Sequence, residues 1–214
     1  MKRVFLGGTK ENDMQEGGVF QNLWRWVTDA GYRAYRSDLR AYRAAHGQDT
    51  PEGFTGLLPG DMVWDIGAET GDWADAMTAR YAVTVHVFPN TRDNASRLSQ
   101  KFEGRSDVVV HDFGLGSASD QFLKDVGEVF ETLGTPRVAL AKVHTHGGEY
   151  DLLPAMVDRG LIAQVDRITV KFHKLSEGDR ARRDAIRSRM AQTHDCVWSY
   201  PFIWEEWHRQ GLGV

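Results

Sequence analysis

The sequence predicts an α/β fold, a Rossmann-like three-layer sandwich with a mostly parallel central sheet and an amino-terminal helical cap. From Asp61 onward short β-branched runs alternate with helical stretches, the pattern of a parallel sheet covered on both faces. The apolar run Val63-Trp64-Asp65-Ile66 passes into Gly67-Ala68-Glu69-Thr70-Gly71-Asp72-Trp73, a strand that ends in an acid and a glycine turn ahead of a helix. With 214 residues, 41% of them hydrophobic and 11% aromatic, the chain can bury a core for one domain and still carry an extension.

Residues 1–60 read as the cap and its linker, and residues 61–214 as the main domain. Helices are expected over 19–30 and 32–46, the second with Tyr32, Tyr35, Leu39 and Tyr42 at helical spacing. Such an aromatic stripe packs against the main domain or lines an acceptor pocket. The stretch 47–60, with Pro51 and Pro59, is the candidate linker or lid. Strands are expected at 62–66, 84–88, 108–111, 138–144, 166–172 and near 196–200, and helices at 72–81, 91–102, 150–159 and 177–193. The stretch 121–133 is ambiguous, with apolar spacing that favours a helix. In this order every loop at a strand's carboxyl end falls on one rim.

Composition narrows the partners. Twenty-six basic against 30 acidic residues give a net charge of -4, which makes nucleic acid an unexpected partner. A single cysteine, Cys196, excludes an intramolecular disulfide and a multi-cysteine zinc site. Mean hydropathy is -0.46 and no stretch approaches the ~20 apolar residues of a membrane span, so a cytoplasmic protein is expected.

The spacing D-x-G-x-x-x-G differs from the dinucleotide fingerprint G-x-G-x-x-G, so a pyrophosphate is not the obvious guest. Gly67 permits a sharp turn, Gly71 lets the backbone approach a ligand, and Asp65 places a carboxylate at the strand's end. After the second strand, Phe88-Pro89-Asn90 has proline where a nucleoside-binding fold ordinarily places a carboxylate for the ribose hydroxyls. A hydrogen bond to such an acceptor is worth about 1.5–3 kcal/mol, and Asn90 or Asp93 is the nearest replacement. Asp112, after the third strand, either accepts from an adenine amino group or bonds its own turn.

Lys142-Val143-His144-Thr145-His146-Gly147-Gly148-Glu149-Tyr150-Asp151 resembles the K-I-[DN]-[IV]-E-G-[AG]-E-Y-[DE] motif of the FkbM-type methyltransferases. The D-x-G-x-x-x-G-D-W turn, Val170-Lys171-Phe172-His173 and the run from Tyr200 to Trp207 resemble further motifs of that family, so the likeness covers roughly residues 61–208. The resemblance implies a class I methyltransferase-like fold and methyl transfer from S-adenosylmethionine to a hydroxyl of a sugar, glycan or related small molecule. It places Asp65, Gly67, Ala68, Gly71 and Asp72 around the amino-acid end of the cofactor, Phe88 and Asn90 at the ribose and Asp112 at the adenine. Against the family pattern, the post-strand Glu is Pro89, the Asp or Asn is His144, the motif Glu is His146 and a strand acid or amide is Lys171. Gly67, Gly71, Gly147, Gly148, Glu149 and His173 are kept.

An acceptor hydroxyl must lose a proton during transfer, and a histidine near neutral pKa suits that task. His146 is the first candidate base and His173 the second, with His144 and Glu149 completing the catalytic set. Because His144 and His146 alternate along an extended stretch, they share a side only if the strand ends between them. No metal is expected, since no H-x-x-x-H spacing anchors two ligands on one helix face, although His144 or His146 with His173 and Glu149 or Asp112 is a chemically sensible ligand set. Two rival readings are a binding or scaffold module that keeps the fold without catalysis and a histidine-based metalloprotein. Arg180, Arg182, Arg183, Arg187 and Arg189 read as a solvated helix face or as a docking surface for an acidic acceptor such as a sugar phosphate, and Phe202, Trp204 and Trp207 as packing or as a pocket wall.

Overall fold

A computed structural model describes residues 29–47, 49–134 and 137–212. The helix expected over 19–30 lies, apart from its last two residues, outside them. Helix α1 (Ala30–His46) starts where Asp29 accepts from the Tyr32 amide at 2.9 Å and stops at Gly47, whose φ of 71° is the left-handed conformation glycine adopts without penalty. Its aromatic stripe does pack: Tyr42 is fully buried against Ile203 and Trp204, with Tyr35, Leu39, Trp198 and Tyr200 around it. The stretch expected to be a linker or lid is strapped to the main domain. Trp73 Nε1 donates to Pro51 O, the Phe54 amide donates to Tyr81 Oη, and Tyr81 Oη donates to Glu52 O.

Strands β1 (Met62–Ala68), β2 (Thr84–Pro89) and β3 (Val108–Val110) alternate with helices α2 (Asp72–Tyr81) and α3 (Arg92–Lys101). Two short strands, β4 (Gly114–Gly116) and β5 (Leu123–Asp125), pair as a separate small sheet before helix α4 (Val126–Leu133). Then follow β6 (Leu140–Val143), α5 (Glu149–Asp158), β7 (Arg167–Val170), α6 (Asp179–Met190), β8 (His194–Tyr200) and β9 (Trp204–Arg209). The ambiguous stretch 121–133 therefore divides into a strand and a helix at Asp125, whose carboxylate accepts from the Gly127 and Glu128 amides.

The main sheet runs β3-β2-β1-β6-β7-β9-β8. All neighbours are parallel except β9, which lies antiparallel to both β7 and β8. The ending that resembled a family motif thus supplies a strand, with Trp204 and Trp207 buried in it. One sheet face carries Trp64, Ile66, Phe88 and Val170 against α4, α5 and α6, and the other carries Val63, Val85 and Val87 against α2 and α3. Chain direction through the sheet reverses between β1 and β6, and the crevice outside the carboxyl ends at such a reversal is where open α/β sheets bind ligands.

Candidate active site at the β1–β6 crevice

Two segments flank this crevice, the irregular end of β1 at Gly67 with the turn that follows it, and the histidine turn after β6. Gly67 has φ 87°, and a Cβ there would sit 2.0 Å from the His144 carbonyl oxygen. Only glycine lets the two segments come this close, so its role is to join β1 to the β6 turn. Gly71, also at positive φ, is set by packing: a Cβ would meet Phe102 at 2.6 Å and Leu98 at 2.7 Å. The expectation that Gly71 clears space for a ligand is corrected by these two side chains of the α3 layer.

Three of the expected cofactor contacts are otherwise engaged. Asp65 lies inside β1, fully buried, and accepts from Lys142 Nζ at 2.7 Å across the β1–β6 pair. Its carboxylate balances a buried cation, which an isolated charge in that layer would require. Asp72, exposed in the first turn of α2, accepts from Lys101 Nζ and Thr70 Oγ1, both at 2.8 Å. The Lys101 and Thr70 hydrogen bonds hold its pKa below the ordinary carboxylate value. Phe88 is fully buried, edge-on to Trp64 and stacked on His111 with ring centroids 4.3 Å apart. Phe88 therefore belongs to the core, and His111 is the ring on its outer side. Burial, then the neighbouring His86, pushes the His111 pKa down to about 4.

Ala68 ends β1 with its side chain buried in the core and its carbonyl accepting from the Asn90 amide at 3.2 Å. Asn90 Nδ2 donates to Glu69 Oε1 at 3.0 Å, and the same oxygen lies 2.9 Å from His146 Nε2. Glu69 thus bridges the end of β2 to the histidine turn, a role the sequence reading missed. Its only signal was position, one residue past the strand in a glycine loop. Asp112 is exposed on the same rim, beyond β3.

His144, His146 and His173 come together. Ring centroids are 4.7 Å apart for His144–His146, 5.2 Å for His144–His173 and 4.7 Å for His146–His173. Alternation does not separate the first two because β6 ends at Val143 and His146 takes a left-handed φ of 52°. His144 also meets the edge of Trp204, whose Nε1 donates to Asp49 O at 2.8 Å, so the site is backed by β9 and by the segment after α1.

Glu149, the first residue of α5, is fully buried and holds this turn together. Its Oε2 accepts from Thr145 Oγ1 and the Gly147 amide, and its Oε1 accepts from the His173 amide and ring Nδ1, at 2.8–3.0 Å. Burial, the largest influence, would raise its pKa, but the hydrogen bonds to it and the charge interaction with His173 together outweigh burial and the pKa falls. With both oxygens engaged and the charge stabilised, Glu149 positions His173 instead of acting as a base. His144 is corrected in the same way. Burial first, then Lys171 and Lys142, bring its pKa down to about 2, so the ring stays neutral and is too weak a base to carry a proton near pH 7.

The arginines of α6 are not a plain solvated face. Arg183 is buried and donates to Glu205 of β9, Arg187 joins the same carboxylate, Arg182 pairs with exposed Asp151 and buried Asp179, and Arg189 pairs with exposed Asp158.

No protein-family model matches this chain, and no curated relative does. Solved structures do match. Methanococcus jannaschii fibrillarin, a pre-rRNA processing protein, is 9% identical over 74% of this chain and 70% of its own, with a TM-score of 0.51. The fibrillarin/Nop5p complex matches with 13% identity over 82% and 81%, with a TM-score of 0.50. Aeropyrum pernix fibrillarin, crystallised with natively bound S-adenosylmethionine, matches with 14% identity over 81% and 75% and a TM-score of 0.49. The first two of these neighbours are a pre-rRNA processing protein and a member of a protein complex. They overturn the expectation of a small-molecule or glycan acceptor to the exclusion of nucleic acid. No helix among the described residues is long and apolar enough to cross a membrane. The strand order, the single reversal at β1–β6 and these likenesses give the chain the class I methyltransferase fold.

Proposed function

We propose that this chain is an S-adenosylmethionine-dependent methyltransferase that modifies RNA. The observation that carries the reading is the β1–β6 crevice, where a left-handed glycine turn faces a polar turn with no strand between them. The donor set fits the cofactor. The turn from Gly67 to Gly71 leads into the amino terminus of α2, whose free amides suit the cofactor's carboxylate. Glu69, held by Asn90, supplies at the β2 end a carboxylate that Pro89 lacks, and it is the residue that would take the ribose hydroxyls. Asp112, exposed on the same rim beyond β3, is the residue this reading assigns to the adenine, in keeping with the FkbM-type motifs.

The bound cofactor supplies an activated methyl group; the protein supplies position and a proton acceptor. His146, half-exposed with Nε2 against Glu69, is the base, because Glu69 stabilises the imidazolium that forms when the acceptor loses its proton. His173, locked by Glu149, keeps His146 in place. RNA as the acceptor class is supported by α1, where Arg33, Arg36, Arg40 and Arg43 are exposed along one helix face despite the chain's net negative charge.

Calorimetric titration with S-adenosylhomocysteine, followed by transfer of tritiated methyl from S-adenosylmethionine to total RNA, tests both halves. Micromolar binding, weakened by roughly one to two decades in Glu69→Ala, is expected. An absence of binding at millimolar ligand overturns the methyltransferase reading. Binding with label transferred to protein and not to RNA overturns only the acceptor.

A further inference from the structure

We propose that His144, His146 and His173 form a binding site for one divalent cation of the zinc class, at the carboxyl rim of β6 and β7. Among the described residues these three are the one group of histidine, cysteine and acidic side chains placed to hold a metal ion, with a ligand nitrogen from each lying within 4.8 Å of the others. Tetrahedral zinc, with bonds of about 2.0–2.1 Å, asks for nitrogens about 3.3 Å apart, so small ring rotations complete the site.

The surroundings match what metal-binding imidazoles require. Glu149 Oε1 takes the Nδ1–H of His173, which makes Nε2 the ligand nitrogen, fixes the tautomer and raises its basicity. Glu69 lies 2.9 Å from His146 Nε2. It orients that ring if Nδ1 is the ligand and becomes a fourth ligand if Nε2 is. His144 Nε2 is buried with no hydrogen-bond partner, the state of a nitrogen shaped for something other than a protein donor. His146 holds a left-handed backbone, uncommon for a non-glycine residue, and such strain clusters at functional sites.

Charge is balanced for the task. Lys171 and Lys142 bear on His144 and oppose a cation, but Lys142 is neutralised by Asp65. The carboxylates of Glu149 and Glu69, each against one of the other rings, favour it. Three neutral imidazoles with further positions open is the donor set of a catalytic zinc site, in which an exogenous oxygen completes the shell. On the methyltransferase reading that oxygen is the acceptor's: the cation would lower the pKa of the hydroxyl, whose proton would pass to water in place of His146; cation binding itself does not depend on that reading.

The test is a visible-absorption titration of the untagged, EDTA-treated full chain with CoCl2, with ZnCl2 as competitor. The expected result is an intense four-coordinate Co2+ band that saturates at one equivalent and is displaced by Zn2+. It should be lost in His146→Asn, which suits a left-handed backbone, and in His144→Phe, while Glu69→Gln weakens binding roughly 10–100-fold. Thermal melts of each variant establish that it is folded. A faint six-coordinate spectrum, no saturation at one equivalent, or a band unchanged in both folded histidine variants overturns the site. S-adenosylhomocysteine titration of the same EDTA-treated protein keeps the two readings apart: nucleoside binding without the Co2+ band removes only the metal site.

Discussion

Gly67 shows at the residue scale how a motif residue can be identified for one reason and required for another. The sequence marks it as a turn glycine, and the structure makes it the contact between the end of β1 and the β6 turn, because any Cβ there would collide with the His144 carbonyl oxygen. Gly67→Ala is expected to cost on the order of 3 kcal/mol or more, combining a left-handed alanine with a backbone clash. Gly47→Ala also adopts positive φ but points into open space, and should cost about 1 kcal/mol. Urea unfolding of the two variants checks this, and equal losses would show that the clash relaxes freely. The same scale explains which site residues were legible. His144, His146 and His173 stand out because they replace or keep family motif positions, but Glu69 and His111 match no pattern and become visible only when β1, β2 and β3 are side by side. Asp65 was misassigned because its partner Lys142 is 77 residues away, beyond any local signal.

Most strand and helix positions follow from periodicity at the scale of the element, since alternating β-branched runs and amphipathic helices carry it directly. The exceptions are elements whose stability comes from neighbours. Strands β4 and β5 have three residues each and exist through mutual pairing, and β9 is held by β7 and β8 with two glutamates buried in it. The start of α4 has a signal that 121–133 read as one helix hides: Asp125 caps it and pairs with Arg159. The Arg159 hydrogen bond, ahead of the opposing effect of burial, holds the Asp125 pKa below the ordinary carboxylate value. A carboxylate depressed in the folded state stabilises the protein above its unfolded pKa, near 3.9, and loses that contribution as pH falls through the folded pKa. Asp125→Ala should therefore lower stability by about 1–2 kcal/mol at pH 7. The gap from wild type should shrink as pH is brought from 5 toward 3, read by urea midpoints at each pH. A gap independent of pH would assign the whole effect to helix geometry.

The reversal between β1 and β6 locates the crevice at the scale of the whole molecule, and it was legible because the order of strands and helices alone implies one rim for all the loops. The acceptor was not legible, because net charge averages over a surface on which charge is unevenly placed. Arg33, Arg36, Arg40 and Arg43 follow one another at intervals of three, four and three residues, which keeps them within one narrow strip of α1. The cap is anchored through Tyr42, which packs on Trp204, and Trp204 also touches His144, so α1 packs on the strand that backs the site. A phosphate backbone laid along it would displace counterions, and each phosphate contact on a single strand contributes about 0.7 to the slope of log affinity against log salt. Replacing Arg36 and Arg40 together with alanine should reduce that slope by roughly 1.4. S-adenosylhomocysteine affinity should stay the same and stability within about 0.5 kcal/mol of wild type, as expected for exposed positions. Fluorescence anisotropy with a labelled single-stranded RNA at several salt concentrations measures the slope. An unchanged slope with RNA still bound would move the RNA path off α1 and onto another face, and RNA that fails to bind at low salt would remove this acceptor class altogether.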